Sequence, residues 1–115
     1  MNIYLSGPMR GYPQFNFPAF FEAAAKLRLT GHYVFSPAER DHQQHGEEVW
    51  KYNATGDLGP AVQKGFSLRE ALAADMKFIC LDADAIAMLP GWEKSKGANA
   101  EKACAEALGL EVMYL

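Results

Sequence analysis

The chain has 115 residues, half of them hydrophobic and 22% charged, with a net charge of −3. That is enough for one domain with one core and too little for two. The acidic balance argues against a nucleic-acid grip, which comes with a basic surface. No apolar run approaches the ~20 residues that a bilayer span needs. The strand-like start Asn2-Ile3-Tyr4-Leu5 leads us to expect no signal peptide and a cytoplasmic protein. Cys80 and Cys104 are far apart, each within an amphipathic segment. Buried free thiols are expected there in preference to a disulfide or a metal pair.

Ile3 to Ser6 reads as a short buried strand stopped by Gly7-Pro8, with Met9-Arg10-Gly11 following. The loop Tyr12-Pro13-Gln14-Phe15-Asn16 leads into a predicted helix from Phe17 to Thr30, with Pro18 in its first turn and Gly31 ending it. Phe20, Ala24 and Leu27, flanked by Phe21, supply its apolar stripe. Tyr33-Val34-Phe35 is the second strand, closed by Ser36-Pro37. Residues 40–66 show no convincing period, and a connection this long in a compact domain is expected to be an irregular insertion or lid. Ser67-Leu68-Arg69-Glu70 spells a capping box opening a helix to Leu81. Asp84–Leu89 is a third strand, Ala98–Leu108 a third long helix stopped by Gly109, and Glu111–Leu115 a last strand. This alternation predicts a single α/β domain over residues 1–115. It is a doubly wound (Rossmann-like or flavodoxin-like), mostly parallel sheet of about four or five strands flanked by helices on both faces. Right-handed crossovers make the strand order 2-1-3-4.

Two carboxylates break the helical patterns. On the last long helix Ala98, Glu101, Ala105 and Leu108 share one face, and that face should pack on the sheet. On the helix before it, Leu68, Leu72, Asp75 and Ile79 do the same. Buried carboxylates are costly and gather at functional sites, so Glu101 and Asp75 are expected to meet above the C-terminal end of the third strand. A Gly-containing loop between strand and helix is where open α/β sheets bind ligands. Ser95 and Gly97 add a hydroxyl and free amides at a helix N-terminus, a sensible anion site. At the end of the first strand Ser6, Gly7, Met9 and Arg10 offer close backbone approach and a guanidinium fork.

Other motifs point to less. No Gly-Lys-Ser/Thr follows a glycine and no Gly-x-Gly-x-x-Gly is present, which excludes a P-loop and the usual dinucleotide fingerprint. Asp41, His42, His45 and Glu48 could in principle bind a metal, but loop histidines this loosely spaced are expected to be solvated instead. Phe15, Trp50, Tyr52 and Trp92 are either core and rim packing or stacking platforms for a planar ligand. No Ser-His-Asp arrangement is supported. Cys104 has no histidine near it in sequence.

Ile3-Tyr4-Leu5-Ser6-Gly7-Pro8-Met9-Arg10-Gly11 resembles the opening strand and loop of the nucleoside 2-deoxyribosyltransferase superfamily. It is closest to the branch of 2′-deoxynucleoside 5′-phosphate N-hydrolases. Asp75, the following apolar strand, Ser95-x-Gly97-x-x-x-Glu101 and Ala107-Leu108-Gly109 fall in that superfamily's order. The resemblance covers about the first 40 residues and the last 50, leaving the middle segment outside it. Small, often phage-encoded proteins of the same superfamily are similar too.

The resemblance implies that Glu101 attacks the anomeric carbon and Asp75 protonates the departing base. Ser95 stands where the transferases of unphosphorylated nucleosides tend to carry Asp, which points to a nucleoside 5′-monophosphate. Ser6, Gly7, Met9, Arg10, Ser95, Gly97 and Ala98 would line the sugar-phosphate side. The unmatched segment, with Trp50 and Tyr52, and Phe15 would shape a base pocket or lid. Hydrolysis to free base is the expected reaction, with no cofactor and no metal. Transfer of the deoxyribosyl group between bases, or nucleotide sequestration without cleavage, are the alternatives. A homodimer or higher homo-oligomer is expected, with no nucleic-acid polymer and no membrane as partner. Relatives in the superfamily continue further, and there a neighbouring subunit often supplies the groups that close the site; without that extension an open site is expected.

Overall fold

A computed structural model describes residues 1–115. Four strands, β1 (Asn2–Ser6), β2 (Tyr33–Phe35), β3 (Ala85–Met88) and β4 (Glu111–Tyr114), form one sheet in the order β2-β1-β3-β4. Every pairing is parallel, with Ser6 opposite Met88 at the upper end of the central pair. The fold and strand order are those expected from the alternation of periods.

The helices are α1 (Phe17–Leu29), α2 (Pro37–His45), α3 (Leu58–Gln63), α4 (Leu68–Leu81) and α5 (Lys96–Ala107). Because strand side chains alternate between faces, Ile3 and Leu5 of β1 and Ala85 and Ala87 of β3 look one way. They meet Phe17, Phe20 and Ala24 of α1 together with Val49, Trp50 and Ala61. Tyr4, Ile86 and Met88 look the other way, onto Ile79 of α4 and Ala98 and Ala105 of α5. Both faces are therefore covered, as an all-parallel sheet requires. No helix is long and apolar enough to cross a membrane.

The middle segment corrects the expectation of an irregular insertion. Pro37–His45 is a helix, Glu47–Val49 is a short 3-10 turn and Leu58–Gln63 is a further short helix. Ser36 precedes α2, Pro37 occupies its first turn and Gly46 ends it in the left-handed region at φ +74°. Only Pro37, Ala38 and Asp41 of α2 are buried, so it has no aliphatic stripe to reveal its period. Two end residues of the predicted faces are likewise exposed: Leu68 and Leu108 lie at the rims of α4 and α5. Leu68 opens α4 and Leu108 caps the end of α5.

Two glycines are required by close approach. A Cβ on Gly7 would stand 2.7 Å from the Leu89 Cβ, where the two central strands end side by side. At Gly56 (φ +72°) a Cβ would fall 2.5 Å from the Tyr12 carbonyl. Gly11 donates its N–H to the Gly56 carbonyl at 3.0 Å, so the middle segment is pinned against the loop after β1.

Candidate functional site

A cleft of about 570 Å³ opens above the C-terminal ends of β1 and β3, where the strand order reverses. Ligands of open α/β sheets bind at that switch point. Its floor is built from both ends of the chain. Glu101 leaves the third helical position after Ala98 and is 6% exposed; Asp75 comes from the middle of α4 and is also 6% exposed. Both line the cleft, so the two acids converge as their helical positions predicted.

Glu101 is held from below by two hydroxyls of one strand. Tyr4 donates to Oε2 at 2.6 Å and Ser6 to Oε1 at 2.7 Å. Burial first, and then the charge of Asp75, push the Glu101 carboxyl up to about 8, against the two hydroxyl bonds that favour its ionised form. Burial and the neighbouring Glu101 charge raise the Tyr4 phenol well above its ordinary value. Tyr4 therefore remains a proton donor throughout the physiological range.

Asp75 has a partner that the sequence did not disclose. Arg40 of α2 donates from Nη1 to Asp75 Oδ1 at 2.5 Å and from Nε and Nη2 to Asp41 Oδ1 at 2.9 and 2.7 Å. One guanidinium thus spans two buried carboxylates, and its planar group lies over the Phe35 ring at 5.8 Å. Burial raises the Asp75 carboxyl and Arg40 pulls it back. Asp41 is raised to about 6 by burial, again opposed by Arg40. Glu101 therefore holds its proton at neutral pH, beside an Asp75 that Arg40 grips.

The N-terminus of α5 stands on the rim of the cleft. Ser95 caps α5 through a 3.1 Å bond from the Ala98 N–H. The first amides of the helix have no intrahelical partner, and Lys94 and Lys96 stand on the same rim. Gly7, Met9, Arg10, Gly97 and Ala98 line the cleft as expected. Ser6 lies beneath it, fully buried, with its hydroxyl on Glu101.

Phe15 reaches the cleft from an unusual turn. Gln14, Phe15 and Asn16 all take left-handed backbone angles, φ 55°, 51° and 63°. The turn is held by a 2.6 Å bond from the Gln14 N–H to the Asn53 carbonyl, by Gln14 Nε2 to the Lys51 carbonyl, and by Asn16 Nδ2 to the Pro8 carbonyl. Residues held in such regions cost free energy and persist only where the surroundings fix them.

Three expectations are corrected. Trp50 does not line the cleft: it is buried, stacked on Phe17 at 5.2 Å, and donates Nε1–H to His42 Nδ1 at 3.1 Å. Tyr52 is 77% exposed and also outside the cleft. His42 is half-buried and accepts from Trp50, not solvated. The middle segment does border the cleft, through Val49, Leu58, Ala61 and Phe66. Tyr4, Arg40 and Asp41 were missed. A period-2 reading of β1 puts Tyr4 on the same face as Ser6, so the first of these was available from the strand pattern.

A family model described as a domain of unknown function, DUF4406, matches residues 1–114. The chain belongs to that family. The DUF4406 match runs through every element that builds the cleft, including both acids. No curated protein matches the chain.

Proposed function

We propose that the chain cleaves the N-glycosidic bond of a (2′-deoxy)nucleoside 5′-monophosphate by a retaining route, releasing free base. The observation that carries this reading is the meeting of Glu101 and Asp75 on the floor of one cleft whose rim is the N-terminus of α5. Retaining glycoside hydrolysis needs a carboxylate nucleophile and a second carboxyl that protonates the leaving group. A phosphomonoester fits the free amides, the Ser95 hydroxyl and the flanking Lys94 and Lys96. The likeness of this chain to the deoxynucleotide N-hydrolases supports the same assignment.

Attack needs the proton held by Glu101 to sit on Asp75. In this account it passes from Glu101 to Asp75 once the sugar is seated, and Arg40 turns to Asp41, which it already grips through Nε and Nη2. Glu101 then attacks the anomeric carbon while Asp75 protonates the base. Water hydrolyses the glycosyl-Glu101 ester, with Asp75 taking its proton. Tyr4 and Ser6 aim the nucleophile, and general acid assistance of this kind is typically worth ~10²–10⁴-fold.

The Arg40–Asp75 ion pair favours a second reading, a module that binds a nucleotide without cutting it, because it holds Asp75 away from its acidic form. A panel of deoxy- and ribonucleoside 5′-monophosphates, with free base followed by chromatography, separates the two. Base release that disappears in Glu101→Ala supports cleavage. Thermal stabilisation by a nucleotide with no release supports the binding module, and neither signal rejects both.

A further inference from the structure

The two cysteines are neither remote nor both buried. Cys80 lies in the last turn of α4 and is exposed; Cys104 lies on α5 and is half-buried; both are free thiols. Their Sγ atoms are 3.6 Å apart, across the packed faces of the two helices. They are the only cysteines in the chain, so neither has a competing partner within the fold. Thiols kept merely as small apolar fillers are expected to be buried, and Cys80 is not.

We propose that Cys80 and Cys104 form a reversible dithiol–disulfide site that closes by exchange with a low-molecular-mass disulfide, whatever ligand the cleft takes. The exposed Cys80 thiolate attacks one sulfur of RSSR, forming Cys80–S–SR and releasing RS⁻. The Cys104 thiolate then attacks the Cys80 sulfur, forming the intramolecular bond and releasing the second RS⁻. Protons lost by the two thiols balance the two RSH formed, and the two protein sulfurs are oxidised as RSSR is reduced. Closing from 3.6 Å to a bond of about 2.05 Å asks for side-chain rotation and a small approach of the helices. Burial and the adjacent Cys80 raise the Cys104 thiol, which leaves the first attack to the exposed Cys80. The bond ties α4 to α5, the helices that carry Asp75 and Glu101, one on each side of the cleft floor.

Treating the folded, reduced protein with oxidised glutathione and following intact mass tests this. The wild type is expected to lose two hydrogen atoms and retain no glutathione. Cys104→Ser is expected to hold one glutathione, and Cys80→Ser to react at least ~10-fold more slowly. Wild-type protein carrying two glutathiones, a covalent dimer, no reaction, or a Cys80→Ser rate equal to wild type would each overturn the proposal. Cleavage or binding of a nucleotide is not read in this experiment, so it stands or falls apart from the function proposed above.

Discussion

The Tyr4 hydroxyl stands 2.6 Å from Glu101 Oε2, a fully buried phenol joining β1 to α5 across 97 positions of sequence. With Ser6 on the other oxygen, a single strand fixes both lone-pair directions of the acid. In Tyr4→Phe one buried acceptor loses its donor, at a cost of about 1–3 kcal/mol. Because the lost bond favoured the ionised form, Glu101 should release its proton above its present value of about 8. The titration of the Glu101 side-chain carboxyl carbon by NMR checks the direction of that shift.

Stability should fall as pH rises. Glu101 holds its proton to about 8 in the fold against an ordinary 4.5, and Asp41 to about 6 against 3.8. Between those values the native state binds protons that the unfolded chain has released, so the contribution is fully present below the unfolded value and lost through the folded one. From about pH 5 to about pH 8 the loss is on the order of 5 kcal/mol. Urea midpoints across that range measure it, and Glu101→Gln should remove most of the slope.

Arg40 is expected to be the costliest cation to remove. Arg40→Met leaves Asp41 and Asp75, both nearly buried, without a counter-charge. Breaking a buried pair from one side typically costs about 3–5 kcal/mol. The loss should shrink at acid pH, where both carboxyls protonate, and urea unfolding at about pH 5 and about pH 8 would show the difference.

Ser95→Asp separates the cap from the ligand. Aspartate caps helices as well as serine does, so the melting temperature should hardly move. Its charge beside the α5 amides repels a phosphomonoester, and the KM or Kd for a nucleoside 5′-monophosphate should rise at least ~10-fold. The same constant for the unphosphorylated nucleoside should not rise.

The sequence disclosed what local period controls. The alternating strand and helix patterns led to the four parallel strands, and the acids that interrupt apolar faces led to Asp75 and Glu101. Helix α2 escaped because its inward side carries Asp41 where an aliphatic residue would mark the period, although Ser36-Pro37-Ala38-Glu39 has the spacing of a helix start. Arg40 escaped for a different reason: its partner lies 35 positions away, and no local pattern encodes that pairing. Trp50 and Tyr52 look alike in sequence, yet one is buried against Phe17 and His42 and the other stands in solvent. The 3.6 Å approach of Cys80 and Cys104 is likewise a product of how α4 packs on α5.

The proposed reaction turns on Glu101 attacking the sugar carbon. Acid-quenching the protein during turnover of a deoxynucleoside 5′-monophosphate, then mapping peptides by mass spectrometry, tests it directly. A deoxyribose 5-phosphate adduct is expected on the peptide bearing Glu101, absent in Glu101→Gln. Base release that persists in Glu101→Gln, or an adduct on any other residue, would contradict it.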